Sequence, residues 1–171
     1  SRFPGNPSSI HFAGRKSFEH IEMSRSSLAE IFNCSAKEII FTSGATESNN
    51  MVVFSILKRL LNTRTPVNNK NIIISGIEHA SVFNPVMSLK QIGIDARIIR
   101  AEKNGIIDPG KIGENLDSNT YMVLIMHVNN ETGAVQPLAE ISSIIRDYSK
   151  KNSRKILFHS DIVQGFGKIN F

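Results

Sequence analysis

Apolar residues fall in two rhythms along this chain. Short continuous runs close at Ile39-Ile40-Phe41, cover Asn71-Ile72-Ile73-Ile74-Ser75, and make the long stretch YMVLIMHV from Tyr121 to Val128. Such runs, bounded by turn residues, predict strands covered on both faces. Asp95 to Arg100 and Lys155 to His159 predict two shorter strands. Between the runs, apolar residues recur at helical spacing. Phe18, Ile21, Leu28, Ile31 and Phe32 predict a helix from about Gly14 to Asn33, and Met51 to Phe54 with Ile56 and Leu57 predict another, ending near Leu61. A helix follows His79 as far as about Gln91, and one beginning at Pro137 carries Leu138, Ile141, Ile144, Ile145 and Tyr148 along one face.

Punctuation agrees with this pattern. Ser35-Ala36-Lys37-Glu38 has capping-box spacing and predicts one helical turn before the strand that ends near Thr42. Asp108-Pro109 reads as a cap followed by the first helical residue, with Gly110 and Gly113 keeping that helix short. Arg2 to Ile10 reads as a loop, and Asn62 to Asn71, with Pro66, as a surface connection. Strands alternating with helices predict an α/β fold with a mainly parallel sheet between helical layers. The residues just past the strand ends then share one edge, where such folds bind ligands.

Composition narrows the options without naming a function. With 171 residues and 40% apolar content, the chain can bury one proper core. The 20 Lys and Arg against 15 Asp and Glu give +5, scattered except at Lys150 to Lys155, which reads as a solvated helix end and not a nucleic-acid surface. Cys34 is the single cysteine, so there is no internal disulfide and no cysteine metal site. No stretch reaches the length of a membrane span. The reading is a soluble, cytoplasmic protein that engages neither nucleic acid nor membrane.

Chemistry collects at the predicted strand ends. Ser43-Gly44-Ala45-Thr46 makes a small-residue turn into a helix whose first N–H groups have no internal acceptor, a place for a phosphate. Glu78-His79, Asn129-Asn130 and Asp161 with Gln164 follow three further runs. Each has a plain structural alternative: a cap, a loop histidine or an Asx turn. Together they describe a crevice for a flat phosphorylated heterocycle. Pyridoxal phosphate fits best, because its ring nitrogen must stay protonated and a carboxylate such as Asp161 would hold that proton. A nucleotide fits less well, since neither a G-x-G-x-x-G nor a G-x-x-x-x-G-K-[ST] run is present.

GNPSSIHFAGR (Gly5 to Arg15), TSGATESNN (Thr42 to Asn50), EHASV (Glu78 to Val82), MHVNNETGAVQP (Met126 to Pro137) and FHSDIVQGFGK (Phe158 to Lys168) resemble, in order, the signature segments of the cysteine desulfurases. These are pyridoxal-phosphate enzymes of aminotransferase class V and fold type I, and the likeness is closer to the NifS and IscS group than to the SufS branch. The resemblance implies that Ala45 and Thr46 bind the cofactor phosphate and that His79 stacks on the ring and is an acid/base candidate. It places Asn130 near the ring oxygen and the substrate amino group, Asp161 on the ring nitrogen, Gln164 on the ring oxygen and Val163 against the opposite ring face. Ile162 departs from the small residue usual beside that aspartate.

The family's reaction takes sulfur from L-cysteine, leaving alanine and an enzyme persulfide for iron–sulfur cluster or thio-RNA synthesis, through an acceptor such as an iron–sulfur scaffold. Its Schiff-base lysine lies in an S-G-H-K segment that is absent here, and Cys34 matches no persulfide motif. The expectation is a partial large domain, residues 1–171, lacking the family's N-terminal segment and C-terminal region. Such a piece would be inactive alone and poorly soluble, and the complete protein would be a homodimer. A selenocysteine lyase, another class V aminotransferase, or an inactive module for binding and dimerisation are the competing readings.

Overall fold

The computed structural model describes residues 5–62, 66 and 69–169, with Leu61 and Asn62 described by backbone only. The expectations at residues 2–4, and at 63–65, 67 and 68 of the 62–71 connection, lie outside that set. Two compact units divide the chain, Ser1–Thr42 and Ser43–Phe171.

In the first unit, α1 runs Phe12–Ile31, with the His11 ring accepting from the Gly14 amide at 3.2 Å. The Ser35 to Glu38 capping box is present and makes a single 3-10 turn. The helix expected from about Gly14 to Asn33 is present, whereas the strand expected to end near Thr42 is not. Only small residues of α1, Gly14, Ser17 and Ala29, are buried, while Phe18 and Ile31 are 52% and 61% exposed. Ile39 to Thr42 forms no strand. Ile39 has extended backbone, but its carbonyl accepts from the Arg25 guanidinium, which also lies over the Phe41 ring. A strand needs a neighbouring ladder, and the four-stranded sheet of the described residues does not include this segment.

The second unit holds α2 (Ala45–Asn62), β1 (Asn71–Ser75), α3 (Ala80–Gln91), β2 (Asp95–Ile99), α4 (Pro109–Asn115), β3 (Thr120–Leu124), α5 (Leu138–Lys151) and β4 (Leu157–His159). Asp108 caps α4 as expected, its carboxylate accepting from the Gly110 amide. Among the described residues all strand pairs are parallel, in the order β2-β1-β3-β4. The alternation of side chains along β1 explains its unbroken apolar run. Ile72 and Ile74 pack under Val53, Ile56 and Leu60 of α2 and Val82, Val86 and Leu89 of α3. Ile73 faces the other way, against Ile112 of α4 and Ile141 and Ile145 of α5. Burying each such side chain is worth about 1.5–3 kcal/mol, which is what holds helices on both faces.

At the amino ends of the strands, Asp117 ties the sheet together. It accepts from Asn71 of β1 at 2.8 Å, from Arg97 of β2 at 2.6 Å and from the Asn119 amide at 2.7 Å. Strand order reverses between β1 and β3: α3 and α2 cover one face, α4 and α5 the other. That reversal opens a crevice at the carboxyl ends of β1 and β3.

Candidate functional site

All six sequence candidates line this one crevice. Ala45, Thr46, His79, Asn130, Asp161 and Gln164 surround a space of about 180 Å³, with Ser81, Met126, Val128 and Val163 completing the wall. The volume is below the ~300–1,000 Å³ of enclosed small-molecule sites, as suits an open wall.

Three strand ends and two helix starts supply these side chains. The α2 turn keeps its shape because Glu47 reaches back to accept from both the amide and the hydroxyl of Ser43, each at 2.6 Å. The Ser43 hydroxyl and amide hold the Glu47 carboxyl below its ordinary value. Gly44 precedes the helix, and a Cβ placed there would meet nothing within 4 Å, so the approach to Ala45 and Thr46 is open. His79 caps α3, its Nδ1 accepting from the Ser81 amide at 3.1 Å. The Asn pair divides its work. Asn129 is buried and its Oδ1 accepts from the Glu131 amide and from the amide and hydroxyl of Thr132, an Asx turn that leaves the exposed Asn130 at the crevice. Asp161 follows β4, with Oδ1 accepting from the Val163 amide at 3.0 Å, and Lys168 donates to Gln164 Oε1 at 3.1 Å.

Asn49, Asn50 and Ser81 had no role assigned from sequence. Asn49 is 3% exposed and donates to Asp161 Oδ2 at 2.8 Å and to Ser81 Oγ at 2.9 Å. The signal for it exists: Asn49, Val53, Ile56 and Leu60 fall on one helical stripe, and a polar residue on a core stripe needs partners. Asn50 also reaches α3, donating to the Ser81 carbonyl at 3.4 Å, which Pro85 leaves without its helical N–H. Glu78 was noted beside His79 but does not line the crevice. Its Oε1 accepts from the Ser75 hydroxyl at 2.5 Å and the Met126 amide at 2.6 Å, bridging the ends of β1 and β3. Burial pushes its carboxyl up to about 7, with Asp161 adding to the rise and the two hydrogen bonds opposing it. Beside Asn49, His159 is lowered by burial, against the pull of Asp161.

A family model for aminotransferase class V matches residues 1–171. The chain belongs to that family. A cysteine desulfurase IscS of Rickettsia prowazekii is 43% identical over 166 residues, covering 96% of this chain and 38% of the relative. Among solved structures, a NifS-like protein superposes with a TM-score of 0.86 at 33% identity, over 98% of this chain and 43% of that one. SspA in complex with cysteine gives 0.85 at 32%, over 98% and 45%. The chain thus spans about two-fifths of the proteins it matches. Its sheet and helices are the α/β arrangement of the fold type I members.

Class V members use pyridoxal phosphate, and the donor set of this member fits such a group. The first amides of α2 are available for a phosphate. The Thr46 hydroxyl and the Asn130 amide make no side-chain hydrogen bond among the described residues. Each Asp161 oxygen accepts one bond and keeps a lone pair for a ring N–H. Val163 presents an apolar side chain 54% exposed at the crevice.

Proposed function

We propose that this chain forms the cofactor-binding wall of a pyridoxal-phosphate-dependent cysteine desulfurase. The observation that carries the reading is the meeting of Asp161, His79, Asn130, Gln164 and the α2 start in one crevice at the β1/β3 switch. The identity to IscS and NifS-like proteins, and a neighbour described as a complex with cysteine, support L-cysteine as substrate.

In this reading Ala45 and Thr46 hold the phosphate with backbone amides and a hydroxyl, where the helix dipole favours negative charge. Asp161 accepts a hydrogen bond from the protonated ring nitrogen, a charge-assisted bond in a partly buried setting. His79 packs on one ring face and Val163 on the other, while Asn130 and Gln164 supply donors for the ring oxygen. When bound, pyridoxal phosphate supplies the electron sink for bonds made and broken at the substrate amino acid. The covalent lysine and the sulfur-accepting cysteine come from outside these 171 residues, and the sulfur passes to an acceptor such as an iron–sulfur scaffold from a homodimeric complete protein. These 171 residues alone release no alanine from cysteine.

The test is cysteine-dependent alanine release by the complete native protein. Asp161→Asn should lower turnover by roughly 10- to 100-fold, the scale of one charged hydrogen bond. Unchanged turnover would remove Asp161 from the ring-nitrogen role.

A further inference from the structure

One buried amide joins three of the segments that build the crevice. Asn49 Nδ2 donates to Asp161 Oδ2 at 2.8 Å and to Ser81 Oγ at 2.9 Å, while its Oδ1 faces His159 Nε2 at 3.2 Å. The orientation of the amide is dictated by its neighbour: a carboxylate only accepts, so the nitrogen must face Asp161. The donor order then propagates. Ser81 Oγ accepts from Asn49 and sends its own proton to His79 Nδ1, 2.8 Å away. The Ser81 amide donates to the same Nδ1 at 3.1 Å. With two donors aimed at Nδ1, the neutral His79 ring carries its proton on Nε2. On the other side Asn49 Oδ1 only accepts, so His159 carries its proton on Nε2 as well.

We propose that Asn49 is a positioning residue: its amide holds the Asp161 carboxylate and, through Ser81, the tautomer and orientation of His79. The crevice is thereby set to offer an acceptor at Asp161 and an N–H at His79 before any ligand arrives. Preorganised polar groups of this kind need little reorganisation on binding. The functional meaning of the device rests on the pyridoxal-phosphate reading, but the hydrogen-bond order does not.

Asn49→Asp keeps the shape and replaces the donor by an oxygen. It sets a second carboxylate against Asp161, so the pair should retain one proton to a pH at least about two units above that at which Asp161 alone titrates. Carbon-13 NMR of the aspartate carboxyls in the cofactor-free complete native protein reads this directly. Unchanged titration of Asp161 in a folded variant would overturn the proposal. Nitrogen-15 NMR of the wild-type imidazoles covers the case in which the variant does not fold. A neutral His79 protonated at Nε2 supports the donor order, and one protonated at Nδ1 overturns it. Adding pyridoxal phosphate separates positioning from cofactor identity. Binding weakened about ten-fold or more by Asn49→Asp supports the positioning role, and equal binding by a folded variant refutes it. A wild-type protein with the expected tautomer that binds no pyridoxal phosphate contradicts the cofactor reading and leaves Asn49 in place.

Discussion

Glu78 shows how one buried carboxyl shapes the behaviour of the site. Its acid form is favoured in the folded protein, with a pKa near 7 against 4.5 for the ordinary group. Between those values the folded state holds a proton that the unfolded chain has released, so stability falls as pH rises. The contribution is fully present below about pH 4.5 and is gone above about pH 7, a loss of about 3 kcal/mol. Glu78→Gln keeps the oxygen that accepts from Ser75 and Met126 and cannot ionise. Urea unfolding across pH 4 to 8 should therefore show a flatter profile for the variant, and parallel profiles would contradict the assignment. Gly165 offers a second residue-level test. A Cβ there would lie 2.2 Å from Nδ1 of the buried His127 ring, so Gly165→Ala should lose roughly 1–3 kcal/mol by overpacking, read as a lower denaturation midpoint at unchanged slope. The crevice candidates were legible because polar residues placed just after apolar runs stand out. Asn49 and Ser81 were not given roles because they lie inside helices, where partners distant in sequence cannot be read from spacing.

The sheet was legible for the same reason its strands are buried: Ile72 to Ile74 and Tyr121 to Leu124 have both faces covered and so lack polar alternation. The segment before the α2 turn misled, since an apolar run predicts a strand only if a partner is available to pair its backbone. Arg25 takes the Ile39 carbonyl instead. Strand β3 also stops short of the expected Val128. Beyond Leu124 the chain still bonds toward β4, through the Ile125 and His127 amides, but then turns back so that His127 accepts from the Gln136 amide. At the opposite edge Asp117 links β1 and β2. Burial works against its ionisation, but the Asn119 amide, Asn71 and Arg97 hold the carboxyl down to about 2. A depressed carboxyl contributes stability above its unfolded value of 3.8 that is lost as pH falls toward 2. Asp117→Asn should remove that part of the acid dependence, measured as the difference in denaturation midpoint between pH 5 and pH 2.5. An equal acid loss in both proteins would exclude Asp117 as its source.

Membership of class V accounts for the whole chain, yet these residues span about two-fifths of the proteins they match. Large apolar side chains stay exposed in the first unit, among them Ile10 at 89%, Phe12 at 65% and Met23 at 66%. Exposed apolar surface on this scale favours association. The isolated 171 residues should elute from size exclusion as aggregates or oligomers, and a sharp monomer peak would contradict this. In the proposed function the crevice of the second unit holds pyridoxal phosphate, with Asp161 on the ring nitrogen. The most direct measurement is nitrogen-15 NMR of ring-labelled pyridoxal phosphate bound to the complete native protein, wild type against Asp161→Asn. A protonated ring nitrogen is expected in the wild type and an unprotonated one in the variant. The same protonation state in both would contradict the assignment of Asp161 and, with it, the cofactor-binding role of the crevice.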